Sequence, residues 1–490
     1  MTSLAERAGV HDAARAAACT RLLERLRAEG IVAVRVGWCD LHGALRGKTL
    51  MPEALPAALA EGVGLVSTLL LKDTSDRTAF KVFEPGLGQQ LPGFAFAGNL
   101  LLLPDPDSCV TLPWAPGTAW LRGELFFDDG RPVGVDPRRA LQAAVQRLAG
   151  QGWQLRTGLE VEFHVYRVVA ERLDPDAAAW PGEPPQVELV HPGYNLLAEA
   201  WADRSHAVLD IVRRTALGLG LPLRSLEIEL GPSQFEAVFD AADALTTADR
   251  MVLFRNGVRQ ALQRAGYHAT FMCRPPFASI MSSGWHLHQS LVDGASGRNL
   301  FMREAPAPVP EGDARAILSD LGARWLAGLL EHASAGAVFG CSTVNAFGRF
   351  RPNALAPMAA RWGRDNRGAM LRVLGRPGDA ASRIENRIGE PMANPYLYLA
   401  SQIHAGLDGV HQGRMPPPAT EAPYAEGGGG ALPMSLEVAL DALEASTVFA
   451  QAFDGDLLQV LLRIKRSEAE RHAQAEDKVD WARREYFSRY

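Results

Sequence analysis

Residues 157–166 read Thr-Gly-Leu-Glu-Val-Glu-Phe-His-Val-Tyr, and their pattern has a period of two. Leu159, Val161, Phe163 and Val165 alternate with Glu160, Glu162 and His164. This predicts a strand with one apolar face and one face bearing two carboxylates. Adjacent carboxylates repel each other and are costly to desolvate together. Such a face is either solvated or holds a hard cation that offsets the repulsion. The second reading requires further ligands from elsewhere in the chain.

Helical spacing covers residues 11–29, with Leu22, Leu23 and Leu26 on one face and Gly30 as the stop. Strands are expected at 31–38 and 44–50, on either side of the turn Asp40-Leu-His-Gly43, and at 64–71. A short helix at 52–61 lies between them. A polar connection begins at Lys72, and residues 99–107 close a small mixed unit of roughly one hundred residues. A second unit starts near Trp120. Its helices are expected at 136–150, 194–218, 241–266 and 314–335. Its strands are expected at 157–166, as a pair within 223–239, and at 285–292. Residues 174–185 and 275–284 read as loops. Residues 416–430, with four consecutive glycines, read as a mobile low-complexity loop. Residues 435–490 are mostly helical and charged.

At 490 residues the chain is long enough for a small and a large domain, and 47% hydrophobic residues allow a sizeable core. The formal charge of −6 comes without any basic block, which gives no reason to expect nucleic acid or an anionic membrane as partner. Cys19, Cys39, Cys109, Cys273 and Cys341 are scattered, with no CxxC pair. They point to a reducing cytoplasm and to no zinc site. The first thirty residues lack an apolar leader, and no run is apolar enough to span a bilayer.

Further candidate ligands lie downstream. Glu227 and Glu229 share one strand face, as do Gln234 and Glu236 beyond a Gly-Pro bend that can bring Glu229 and Glu236 together. His286 and His288 are strand-spaced, and so are Arg383, Glu385 and Arg387. Oxygen-rich ligation with an imidazole suits Mg2+ or Mn2+ better than zinc. Arg349, Arg351, Arg367 and Arg372 add positive charge from the same part of the chain. Divalent metals with many arginines fit phosphoryl chemistry, in which charge neutralisation dominates. A P-loop and the kinase signature set are both absent.

The blocks TGLEVEFHVY, ELGPSQFE, SGWHLHQSL, STVNAFGRFRP, WGRDNRGAMLRV and SRIENRIGEPMANPYLYLA occur in this order. With LLLLPDPDSCVTLPW and DLHGALRGK, they resemble the glutamine synthetase family over almost the whole chain. The resemblance implies an α+β fold: a helical segment at 1–30, a β-grasp domain at 31–117, and a catalytic domain at 118–490 with a curved antiparallel sheet and flanking helices. It implies a ring-shaped homo-oligomer, commonly a dodecamer, that uses ATP with two or three Mg2+ or Mn2+ ions per site. One metal falls to Glu162, Glu229 and Glu236, and another to Glu160, His286 and Glu385. His288, Ser290, Arg372 and Arg383 match ATP-binding positions. Arg367 matches the arginine on the transferring phosphate, and Arg349 and Arg387 match the grip on L-glutamate. The implied reaction phosphorylates the γ-carboxylate of glutamate, and an amine then displaces phosphate.

Departures from the family pattern bear on the amine. The family's flap triplet Glu-Ala-Pro is Leu355-Ala356-Pro357 here. A leucine neither binds ammonium nor takes its proton, which places Leu355 beside Arg349 and Arg367 as a residue at the reacting groups. The family's Asp-Gly-Ser-Ser segment has no clean counterpart, with Asp73 or Asp76 the nearest stand-in. The family's Asn-Gly-Ser-Gly loop is Met281-Ser-Ser-Gly284, followed by Trp285 where Met is usual. Ser282, Gly284 and Trp285 are therefore expected on the substrate side. Tyr424 lies in a Pro/Gly-rich loop with no match to the adenylylation tyrosine. The expected activity is γ-glutamylation of a bulky apolar primary amine, aromatic or alkyl. The alternatives are a polyamine or ethanolamine acceptor, true glutamine synthesis, and a non-catalytic scaffold.

Overall fold

The computed structural model describes residues 2–352, 354–427 and 429–490. Helix Ala13–Ala28 starts at Asp12, whose side chain accepts the Arg15 amide, and it buries Leu22 and Leu26. Six strands follow: β1 (Ala33–Cys39), β2 (Leu45–Leu50), β3 (Val63–Val66), β4 (Asn99–Pro104), β5 (Val110–Thr111) and β6 (Thr118–Phe126). They form one sheet in the order β2-β1-β6-β4-β3, with β5 on β6. β1 and β6 run parallel, and their other neighbours are antiparallel. A boundary between 117 and 118 would cut this sheet through its middle. β6 belongs with the amino-terminal strands, so the division falls after Phe126. The strand expected at 64–71 stops at Val66, and Ser67–Leu71 continues as a 3-10 turn.

The second sheet is built from β7 (Trp153–Ala170), β8 (Gln186–Leu189), β9 (Leu223–Ile228), β10 (Gln234–Phe239), β11 (Ala242–Asp243), β12 (Tyr267–Thr270) and β13 (Trp285–Asp293). After β14 (Ala359–Ala360), which belongs to a separate two-stranded sheet, it is completed by β15 (Trp362–Arg364), β16 (Leu371–Leu374) and β17 (Arg383–Asn386). Its order is β15-β16-β17-β13-β7-β10-β9, and β8, β11 and β12 also pair with β7. The apolar face of β7 is buried, with Phe163 meeting Phe254 of helix Ala244–Arg264 at 5.9 Å between ring centroids. Helix Pro395–His411 is buried along almost its whole length and packs on Asp320–Glu331 and Pro137–Ala149. Two expected helices are broken: 194–218 into Glu199–Arg204 and His206–Gly218, and 314–335 into a 3-10 turn, Asp320–Glu331 and Ala333–Gly340.

The loop expected to be mobile at 416–430 is tied down instead. Pro417 O accepts the Trp362 indole at 2.7 Å, and the Thr420 amide donates to Trp362 O at 2.8 Å. The Arg361 guanidinium donates to the carbonyls of Ala422, Pro423, Ala425 and Gly427. β14 pairs with Gly430–Ala431. One arginine among several carbonyls replaces the missing side-chain packing of this small-residue loop. Gly428 lies outside the described residues.

Candidate active site

The strand ladders set the polar face. His286 on β13 lies opposite Glu160 on β7, and His288 lies opposite both Gly158 and Glu385 on β17. Glu236 on β10 is opposite Glu162 on one side and Glu227 on the other, and Arg372 on β16 is opposite Glu385. Neighbouring residues on one face of a sheet lie within side-chain reach. His286 Nδ1 is 2.8 Å from Glu160 Oε1, and His288 Nε2 is 3.0 Å from Glu160 Oε2. Glu162 Oε2 accepts from Gln234 Nε2 at 3.1 Å and from the Gly284 amide at 2.9 Å. A Cβ at Gly284 would stand 2.8 Å from Arg349 Nη2 and 2.9 Å from His286 Nε2, so only glycine fits there.

Two adjoining cavities open on this face. The larger, about 800 Å3, is lined by Glu160, Glu162, Glu229, Glu236, His286 and the arginines 349, 367, 372 and 387, with Ser282, Gly284 and Leu355. The smaller, about 560 Å3, is lined by His288, Ser290, Arg383 and, shared with the first, Glu160, Arg367 and Arg372. The expected ATP-binding set thus lines one cavity, and most of the expected metal and substrate set lines the other. Arg367 stands at the junction, with no ion pair among the described residues.

The carboxylates split electrostatically. Burial, then the charge of Glu229, pushes the Glu162 carboxyl up to about 8. Burial, then Glu160, Glu162 and Glu229, pushes Glu236 up to about 10, and burial also raises Glu229. Burial opposes ionisation of Glu160, but hydrogen bonds from His286 and His288 outweigh it and hold the group well below the usual range. Burial likewise opposes ionisation of Glu385, and Arg387 with the two histidines more than offsets it. His286 is lowered to about 4, first by burial and then by Arg387, so at neutral pH it is an uncharged imidazole able to ligate. Ligand atoms of Glu160, Glu236 and His286 lie within 4.8 Å of one another, as do those of Glu160, His288 and Glu385. Glu160 therefore joins both groups, and His288 stands beside Glu385.

The arginines are anchored. Arg349 is buried and donates to the carbonyls of Ile388 (2.8 Å), Gly389 (2.9 Å) and Arg387 (2.7 Å). Glu385, fully buried, accepts from Arg372 at 3.0 Å and from Arg387. Arg387 also donates to Leu355 O at 3.4 Å. Leu355 is 55% exposed with φ +53°, an unusual backbone for a non-glycine residue.

Residues 134–485 match the family of the glutamine synthetase catalytic domain. The chain belongs to the glutamine synthetase family. It is 38% identical to a γ-glutamylanilide synthase of an Acinetobacter species, with 96% of each chain covered. It is 30% identical to a γ-glutamylethanolamide synthetase of Streptomyces coelicolor, over 92% of this chain and 91% of that one. A solved structure described as a GmaS–ADP complex superposes with a TM-score of 0.73 at 30% identity, covering 94% of this chain and 98% of the other. The α+β glutamine synthetase-type fold expected from the resemblance is the one observed, a largely antiparallel curved sheet with flanking helices.

Family resemblance had put Trp285 on the substrate side, but it is fully buried and its ring meets Tyr398 at 5.2 Å. Strand alternation explains the correction: Trp285 precedes His286, so it faces the core when His286 faces the cavity. Asp73 and Asp76 do not reach the cavity within one chain. Asp73 accepts the amides of Ser75 and Arg77 and pairs with Arg471 at 3.1 Å, and Asp76 pairs with Arg46 at 2.6 Å. Met281, from the altered loop, lines the larger cavity together with Leu196 and Leu197, two residues that sequence reasoning missed. Leu196 and Leu197 were hidden by the helix expected from 194, although the apolar pair beside Asn195 was a readable sign of a loop.

Proposed function

We propose that this chain joins the γ-carboxylate of L-glutamate to a bulky apolar primary amine, aromatic or alkyl, with ATP as phosphoryl donor. The observation that carries the reading is Leu355. It stands where the family has its flap glutamate, and it lines the same cavity as Leu196, Leu197 and Met281. The similarity to a γ-glutamylanilide synthase over nearly the full length supports it.

In this reading a γ-carboxylate oxygen of glutamate attacks the terminal phosphorus of ATP, and ADP leaves. The amine nitrogen then attacks the acyl carbon, orthophosphate leaves, and the nitrogen gives up its proton. Arg349 and Arg387 hold the glutamate carboxylates, with Ser282 and Gly284 beside them. Arg367 holds the transferred phosphoryl group, and His288, Ser290, Arg372 and Arg383 hold the nucleotide. An oxygen-rich set in which burial, then neighbouring carboxylates, raises Glu162, Glu229 and Glu236 while Glu160 and Glu385 stay ionised fits divalent cations. Glu160, Glu162, Glu229, Glu236, His286 and Glu385 are read as the ligands of two or three Mg2+ or Mn2+ ions. When bound, the ions supply charge neutralisation for phosphoryl transfer. An aryl amine is largely uncharged at neutral pH, so it needs no flap carboxylate to take a proton before attack. A dodecameric ring, an amino-terminal β-grasp domain and a cytoplasmic location complete the reading. The family's usual assembly, the parallel β1–β6 pair and the five free cysteines support these points respectively. Among the described residues, no helix is long and apolar enough to cross a membrane.

The test is ADP release with ATP, glutamate and a panel of ammonia, ethanolamine, a polyamine, an alkylamine and aniline, under Mg2+ or Mn2+. Aniline or the alkylamine should give the highest kcat/KM. Ammonia as the best acceptor would overturn the reading, and no release with any amine would favour the scaffold.

A further inference from the structure

Behind the loop that carries Ser282 lies a third opening of about 490 Å3, separate from the two cavities above. Its charged lining is wholly basic, formed by Arg274, Arg351 and Lys478, none of its lining residues is acidic, and His472 completes the polar wall as an imidazole that burial, then Lys478, disfavours from protonating. This is notable in a chain with 56 acidic and 50 basic residues. Arg274, Arg351 and Lys478 make no ion pair among the described residues. Arg274 is half-buried, and burial followed by the charge of Arg351 lowers its affinity for a proton. Two guanidiniums held close without a counter-charge repel each other unless an anion lies between them. The rest of the wall is mostly apolar: Pro276, Phe277, Val344 and Val479 line it beside the one amide of Asn345, with Phe277 40% and Val479 63% exposed. The volume suits a small molecule.

We propose that this cavity binds an organic anion, a carboxylate carried on a small apolar body such as an aromatic ring. The arginine forks take the carboxylate, and Lys478 adds a third charge. Pro276, Phe277 and Val479 cover the body. The site adjoins the catalytic cavity: Arg274 Nη1 donates to Ser282 Oγ at 3.1 Å, and the Arg274 amide donates to Asn345 Oδ1 at 2.7 Å, just before the turn that carries Arg349. An occupant touching Arg274 is one residue away from the loop that lines the catalytic cavity.

The experiment titrates the full-length oligomeric enzyme with benzoate by calorimetry, with benzamide and inorganic phosphate as controls. It is run with and without saturating ADP and glutamate. Saturable benzoate binding is expected, unchanged by ADP and glutamate, with benzamide and phosphate each bound at least about tenfold more weakly. The double variant Arg351→Ala/Lys478→Ala, in which both altered side chains are exposed, should weaken benzoate by about tenfold or more. The single Lys478→Ala change should fall between the two. The proposal is overturned if benzoate does not saturate, if ADP and glutamate displace it, if benzamide or phosphate binds as tightly, or if the double variant binds normally. Because binding rather than turnover is read, failure of the ligase reading would leave this result intact.

Discussion

Glu236 gives the sharpest test of the electrostatic account. Its carboxyl is buried beside Glu160, Glu162 and Glu229 and is pushed up to about 10, against an ordinary 4.5. A folded-state pKa above the unfolded one means that the folded protein binds more protons. The group's contribution is therefore fully present below about pH 4.5 and is lost as pH rises towards 10. At pH 7 the gap of two to three pH units from 4.5 corresponds to a loss on the order of 3 kcal/mol in metal-free protein. Glu236→Gln cannot ionise and escapes this loss. At pH 8.5 the gap widens to about four pH units, on the order of 5 kcal/mol, so metal-stripped Glu236→Gln should melt above metal-stripped wild type by roughly 5 °C, and the difference should shrink at pH 5.5. Adding Mn2+ should raise the wild-type midpoint more than that of the variant, since the ion replaces the proton in wild type. The assay is thermal melting at the two pH values, in EDTA and then in Mn2+. A metal-free variant less stable than wild type at pH 8.5, or an equal Mn2+ response in both proteins, would refute the repulsion argument.

Glu160 contacts both histidines and belongs to both candidate ligand groups, so Glu160→Ala should lower kcat by about a thousandfold or more while gel filtration and circular dichroism stay native; near-normal turnover would dismiss the assignment. Leu355→Glu should reduce kcat/KM for an aryl amine by about tenfold or more, because a carboxylate must then be desolvated against the amine's apolar body. An unchanged amine ranking across the panel would show that Leu355 does not line the acceptor pocket. Trp285→Ala should cost about 3–5 kcal/mol of stability in a denaturant melt, whereas Trp285→Phe should keep both the fold and the amine ranking. A changed ranking in the phenylalanine variant would return Trp285 to the substrate side.

The polar face was legible because period-two patterning survives in β7, β10, β13 and β17, and the ladders bring the patterned residues together. Glu160 and His286 are far apart in the chain but adjacent in register. Trp285 was misread because family position was given more weight than the alternation of its own strand. The 117/118 boundary failed because β6 lies at the centre of the amino-terminal sheet, a long-range pairing that no local pattern encodes. Mobility at 416–430 was inferred from glycine content, yet distant side chains, Arg361 and Trp362, hold that loop by its carbonyls. Leu196 and Leu197 escaped notice because the helix expected from 194 absorbed them, although the apolar pair beside Asn195 precedes a helix that starts only at Glu199.

The 18-residue strand β7 has a further consequence. Most of the polar side chains of the two cavities sit on β7, β10, β13, β16 and β17, each of which is paired on both sides. Moving any one of them would break hydrogen bonds on two sides. Leu355 lies outside those ladders, in an exposed turn, where Arg387 donates to its carbonyl at 3.4 Å. Mutational drift there costs the scaffold almost nothing. A lineage can therefore exchange one acceptor for another by changing a few loop side chains while the phosphoryl-transfer half stays fixed. Acceptor choice would then diversify faster than the chemistry it is attached to.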